Sequence, residues 1–183
     1  MALKDKTVAL ARLLHRDCTQ LLDLYTTRES LMSNSVSGSQ LVSIPPLTSQ
    51  LSPSEKICFL HAALRMCLHL LDKAITHEDA IFPDAPEDEY SKQRKTVRER
   101  LNYLVSSTER LLVGGKRCDA EAQDLVDGGV FAMKKWILQV LQDVVYWSNK
   151  TAETLQTLPA LTAMRATRTR RATVKKAAHK RRK

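Results

Sequence analysis

Apolar residues recur along this chain at helical spacing, in four long segments. At about 100° per residue, Leu3, Leu10, Leu14, Leu21 and Tyr25 share a face, with Ala11, Cys18 and Leu22 on its edge. Arg12, Arg16, Thr19 and Asp23 point the other way. This predicts a first helix over about 4–28. The second stripe is Ile57, Leu60, Leu64, Cys67, Leu68, Leu71 and Ile75, for a helix over about 53–77. Its start is marked by Ser52-Pro53-Ser54-Glu55, which supplies an N-cap hydroxyl, a preset φ and a reciprocal carboxylate. The third carries Tyr90, Val97, Leu101, Leu104, Val105, Leu111 and Leu112 over about 87–112, with Lys92, Lys95, Glu99 and Arg110 outward. The fourth carries Met133, Trp136, Ile137, Val140, Leu141, Val144 and Trp147 over about 130–158, stopped by Pro159.

A helix with one apolar stripe cannot bury it alone, so the four must pack together as an all-α bundle. The connections decide how. "SNSVSGSQLVSIPPLTSQ" lies in a loop of more than twenty residues, and "VGGKRCDAEAQDLVDGG" is another long one. Between them "DAIFPDAPED" is short. A short link makes neighbours antiparallel, while a long one can run the length of a bundle and leave its helices parallel. Long, short, long therefore predicts an up-up-down-down long-chain four-helix bundle with two crossover loops.

Charge changes the picture only at the end of the chain. The formal net charge is +9, but ten Lys/Arg and no acid lie in residues 165–183, which leaves 19 bases against 20 acids in 1–164. The bundle is thus near neutral, and "RATRTRRATVKKAAHKRRK" is a separate basic tail with no stripe, expected to be disordered in isolation. It suits a heparan-type polyanion, trimming at the convertase-like Arg168-Thr169-Arg170-Arg171, a nucleic acid, or simple solubilisation.

Candidate chemistry is sparse. His15, His61, His69, His77 and His179 have no ligand spacing, and no Glu-x-x-His pair, GxSxG, HExxH or phosphate-binding glycine loop occurs. His61 lies near the second stripe and reads as a buried or boundary residue. No enzyme, cofactor or metal is expected. No apolar run reaches the roughly 20 residues of a membrane span. The N-terminus, "MALKDKTVAL", has charges where a secretory leader needs an apolar run, so the leader is absent from this chain: either the chain begins at a processed end or the protein lacks a cleaved leader. The four cysteines form no CxxC pair. Cys58 and Cys67 are about 13 Å apart along one helix and cannot bridge each other. A Cys18–Cys118 bridge through the last crossover is sterically open, and four free thiols are equally admissible.

"GGVFAMKKWILQVLQDVVYWSNKTAETL", residues 128–155, resembles the fourth helix of the interleukin-6 family of long-chain cytokines, in the branch of ciliary neurotrophic factor-like and leukaemia inhibitory factor-like members, fish-type members included. The match takes in the double glycine, Phe131, the lysine pair, Trp136, "LQVLQD" and Trp147, with a weaker echo in "ALARLLHRDCTQLLDLY". The resemblance implies a secreted, extracellular cytokine and growth factor of the immune response. It would be a monomer until it gathers class I receptor chains and so drives JAK/STAT signalling. It implies that Phe131 and Lys134 at the start of the fourth helix meet a leukaemia inhibitory factor receptor-type chain. It also implies that outward residues of the first and third helices, here Arg12, Arg16, Asp23, Lys95 and Glu99, meet glycoprotein-130. A third surface would lie near the end of the fourth helix and the first long loop. The alternative is a helical adaptor or nucleic-acid-associated protein acting through its basic tail.

Phe131 sits about 160° from the centre of its stripe and Lys134 lies about 60° from Phe131, one turn on, so the two are expected to form one outward patch. On geometry alone, Leu125 or Val126 could instead fold over Phe131 as a staple. Asn149-Lys150-Thr151 is an N-glycosylation sequon, with Asn149 turned away from the core stripe.

Overall fold

The computed structural model describes residues 2–31, 40–125 and 127–159. The tail at 165–183 lies outside them. Among the described residues there are four long helices: α1 (Leu3–Glu29), α2 (Pro53–Ile81), α3 (Glu89–Leu111) and α4 (Gly129–Thr157). Two short strands, β1 (Val42–Ser43) and β2 (Glu121–Ala122), come from the two long connections. The chain is thus an all-α four-helix bundle.

Each start has a local cause. Ser52 accepts from the Glu55 amide at 3.2 Å while the Glu55 carboxylate accepts from the Ser52 amide at 2.9 Å, closing a capping box behind Pro53. Asp88 caps α3 by accepting from the Ser91 amide at 2.8 Å. α4 has no side-chain cap and opens on two glycines, with Gly129 at φ +75°, a conformation a residue with a Cβ rarely adopts. α2 continues to Ile81, about a turn past the His77 end that periodicity predicts. Glu78 holds that extra turn: it is buried, accepts from the Tyr90 hydroxyl at 3.0 Å and pairs with Arg94 at 2.7 Å. Pro83 then stops the helix by disfavouring helical backbone at Phe82.

One core runs through the bundle. Leu14, Leu21, Leu64, Leu71, Leu101, Leu104, Ile137, Val140 and Val144 are all buried, each of the large ones stabilising the fold by about 1.5–3 kcal/mol. α1 and α2 each pack against both α3 and α4. The seams run in opposite senses. Lys4 donates to the Leu158 carbonyl at one end of α1, and Tyr25 donates to the Lys134 carbonyl at the other. On the α3 side Thr7 meets Ser107 at 2.6 Å and Asp17 meets Arg100 at 2.7 Å. In the α2–α3 seam His61 meets Thr108 at 3.0 Å and Asp72 meets Arg98 at 2.8 Å. His61 is buried in that seam, and its desolvation lowers its pKa.

The two long connections are tied to each other, which periodicity does not predict. β1 and β2 pair antiparallel, Val42 with Ala122 and Ser43 with Glu121, and the Gln123 amide adds a bond to the Leu41 carbonyl at 2.9 Å. Leu41 and Val42 are buried. The Val42 amide donates to Asp143 of α4 at 2.7 Å. The Asp143 side chain is therefore covered by the first connection instead of facing water.

The disulfide also differs from the Cys18–Cys118 expectation. Cys118 bridges Cys58, with Cα atoms 5.6 Å apart. The reason is directional. α3 ends beside the start of α2, so seven residues further on Cys118 reaches the first turns of α2, where Lys116 also pairs with Glu55 at 2.9 Å. Cys18 is fully buried in the core, its thiol aimed at the Leu141 carbonyl at 3.5 Å. Cys67 is likewise a free buried thiol. Burial raises the pKa of both, so neither is a ready nucleophile.

Two outcomes follow. The Cys58–Cys118 bridge spans a sequence separation of 60, and closing such a loop in the unfolded chain is worth about 4 kcal/mol by chain entropy. Cys118→Ser should lower unfolding free energy in urea by about 2–4 kcal/mol and abolish its sensitivity to reductant, whereas Cys18→Ser should leave that sensitivity intact. Desolvation raises Asp143 from 3.8 to about 6. Between those values the folded chain holds a proton that the unfolded chain has released, so this group's contribution is greatest below the window and declines as pH rises through it. Asp143→Asn keeps an acceptor for Val42 without that titration. Relative to wild type, the variant should gain on the order of 2–3 kcal/mol between pH 4 and pH 7 in denaturation curves; parallel pH profiles would refute this.

Candidate binding surfaces

The start of α4 projects an aromatic side chain from a fixed base. After the turn at Gly129, Val130 and Phe131 are 51% and 61% exposed, so no described residue covers the ring as a staple. Val126 lies outside the described residues. Lys135 stacks on the ring, Nζ 4.6 Å from its centroid, a cation–π contact of about 0.5–1 kcal/mol at an exposed site. Lys134 takes a different path from the shared patch expected of it. Its ammonium turns into the α1–α4 seam and pairs with Glu29, whose side chain is 8% exposed and also lies 3.4 Å from Arg28. Its carbonyl accepts from the Tyr25 hydroxyl at 3.1 Å. Burial, with Glu78 and Glu29 nearby, holds the Tyr25 phenol well above its usual pKa, so it stays a donor. The first turns of α4 are thereby fastened to the end of α1, and Phe131 and Lys135 are left outside.

Beneath this end lies a polar network joining three helices. Arg28 stacks 4.7 Å over the Tyr90 ring, Tyr90 lies 5.7 Å from Tyr25, and Arg94 bridges Glu78 and Asp79 at 2.7 and 2.8 Å. Burial first, and then Glu78, raises the Tyr90 pKa. These groups satisfy one another and keep the end of the bundle stiff.

The α1–α3 face is built differently. Asp17 is buried and pairs with Arg100 at 2.7 Å, while its carbonyl accepts from Gln93 at 2.9 Å. Around that seam Arg16, Asp23, Lys95 and Glu99 are exposed, the Arg16 side chain by 74%. Arg12 is exposed too, but it donates to Gln156 of α4 at 2.7 Å and so belongs to the α1–α4 side. Tyr103, one turn beyond Glu99, is 63% exposed, the most exposed large hydrophobic among the described residues. Sequence reasoning passed over it. The signal was present: an aromatic outside its helix's stripe, the same oddity that marks Phe131.

Asn149 is exposed on α4, donating to Glu153 at 2.8 Å. Among the described residues no three His, Cys, Asp or Glu side chains are arranged to hold a metal ion, and no helix is long and apolar enough to cross a membrane. What the molecule offers is a rigid bundle with separate exposed patches.

An all-α four-helix bundle presenting anchored surface side chains is the class that fold and surfaces define. No family model matches the sequence. The chain is similar to ciliary neurotrophic factor of Mus musculus, 24% identical over 162 residues, which covers 83% of this chain and 81% of the relative. A likeness spread over most of both chains suggests a helical cytokine.

The two neighbouring positions should separate in stability measurements. Phe131→Ala removes an exposed ring and one cation–π contact, and should change unfolding free energy by no more than about 0.5 kcal/mol. Lys134→Ala leaves the buried Glu29 carboxylate short of a partner and should cost about 1 kcal/mol, which chemical denaturation can resolve.

Proposed function

We propose that this chain is a secreted cytokine of the interleukin-6 type, an up-up-down-down bundle that signals by bringing class I receptor chains together. The seams support the topology. Contacts run in opposite senses between α1 and each of α3 and α4, and between α2 and α3. In the α2–α4 seam His77 meets Trp136 near the end of α2 and the start of α4. Such a set supports α1 and α2 sharing one direction and α3 and α4 the other. The Cys58–Cys118 disulfide supports an oxidising, extracellular setting.

The observation that carries the reading is Phe131, an exposed aromatic held on a helix already locked to its neighbour by Lys134–Glu29 and Tyr25. Binding hot spots combine an aromatic anchor with a polar rim, and a rigid helix binds without an ordering cost. Phe131 anchors a leukaemia inhibitory factor receptor-type chain, with Lys135 and the partly exposed Lys134 beside it. The α1–α3 face, through Arg16, Asp23, Lys95 and Glu99, with Arg12 at its far edge, meets glycoprotein-130. Separate patches on a monomer are what joining two receptor chains requires. The basic segment 165–183 holds the factor near cells by binding heparan-type polyanions and takes no part in receptor contact.

Cells bearing both receptor chains should respond to the purified protein with STAT phosphorylation, and deletion of 165–183 should leave the half-maximal concentration within about threefold. Absence of any STAT response, together with nucleic-acid binding that disappears with the tail, would replace this reading by the adaptor one.

A further inference from the structure

We infer that Asn149 is the acceptor of an N-linked oligosaccharide; the inference rests on the secreted reading above. Three observations converge. Asn149-Lys150-Thr151 is an acceptor sequon, and the Asn149 side chain faces solvent. The third residue, Thr151, is fully buried, and its hydroxyl has no hydrogen-bond partner among the described residues. A buried, unpartnered hydroxyl opposes folding, and valine would fill the same space without it. The fold thus carries a hydroxyl it does not use, at the one position where the sequon requires one. Finally, the Cys58–Cys118 bridge belongs to an oxidising compartment, the kind in which this modification is made.

The donor is a polyprenyl-diphosphate-linked oligosaccharide. The Asn149 amide nitrogen forms a bond to the anomeric carbon. The bond from that carbon to the diphosphate oxygen breaks, the diphosphate leaves with the electron pair, and the amide gives up one proton. No oxidation or reduction is involved. Transfer precedes closure of α4, while Thr151 is still accessible, and the sugar then stands outside the finished bundle. Asn149 is eighteen residues from Phe131, five full turns on the same face and about 27 Å along the axis. The glycan therefore shields the α4 surface around Tyr146, which is 43% exposed, and leaves Phe131 open.

The test expresses the full chain in eukaryotic cells behind a cleavable secretory leader. The leader-borne protein should show a mobility shift that peptide N-glycosidase removes. Asn149→Gln and Thr151→Val should run unshifted, and Thr151→Ser should keep the shift. Made without glycan in bacteria, Thr151→Val should melt at or above the wild-type temperature. An unshifted leader-borne wild type, or a shift that survives Asn149→Gln, overturns the acceptor assignment. A Thr151→Val chain that melts well below wild type gives the hydroxyl a structural role and removes the argument. A shifted leader-borne protein that evokes no STAT phosphorylation in cells bearing both receptor chains overturns the cytokine reading and leaves the acceptor assignment standing.

Discussion

A helix of 27 or 29 residues is about 40 Å long, and one apolar stripe along it can be dried only against other stripes of the same length. Everything else in this molecule depends on that constraint. Four such stripes close on a common core and turn the opposite faces of the helices outward. The connections must then travel outside the core. The first is held to α4 through Val42 and Asp143, the second to α2 through Cys118 and Cys58, and the two to each other by the β1–β2 ribbon. The body is rigid because both its core and its crossovers are fastened.

Rigidity is what gives the exposed side chains meaning. Phe131 is one residue on a polar face, but Lys134 and Tyr25 fix the helix beneath it, and the Arg28–Tyr90–Glu78–Arg94 network fixes the end of the bundle. On the α1–α3 face the buried Asp17–Arg100 pair does the equivalent, setting the register of two helices whose outward charges stay in water. Such a pair adds little net stability but strongly disfavours a shifted register that would leave either charge buried alone.

The four stripes were legible because burial of a helix face repeats every 3.6 residues, and the Ser52 start because a capping box is local chemistry. Phe131 was legible for the opposite reason, as an aromatic that breaks its stripe; Tyr103 breaks its own in the same way and could have been read. Other features needed the partner helix. Lys134 and Lys135 both lie within about 60° of Phe131 by angle, and Glu29 across the seam draws Lys134 away. Asp143 looks like an ordinary polar residue until a segment a hundred positions earlier donates to it. Cys58–Cys118 required knowing at which end of the bundle the crossover begins.

The central claim is that this bundle holds two receptor chains at once through separate patches. Mixing the purified protein with soluble ectodomains of glycoprotein-130 and the leukaemia inhibitory factor receptor, and weighing the products by light scattering after size exclusion, tests it directly. The account predicts one complex containing all three chains, from which Phe131→Ala loses only the leukaemia inhibitory factor receptor. Failure of the intact protein to bind either ectodomain would contradict it.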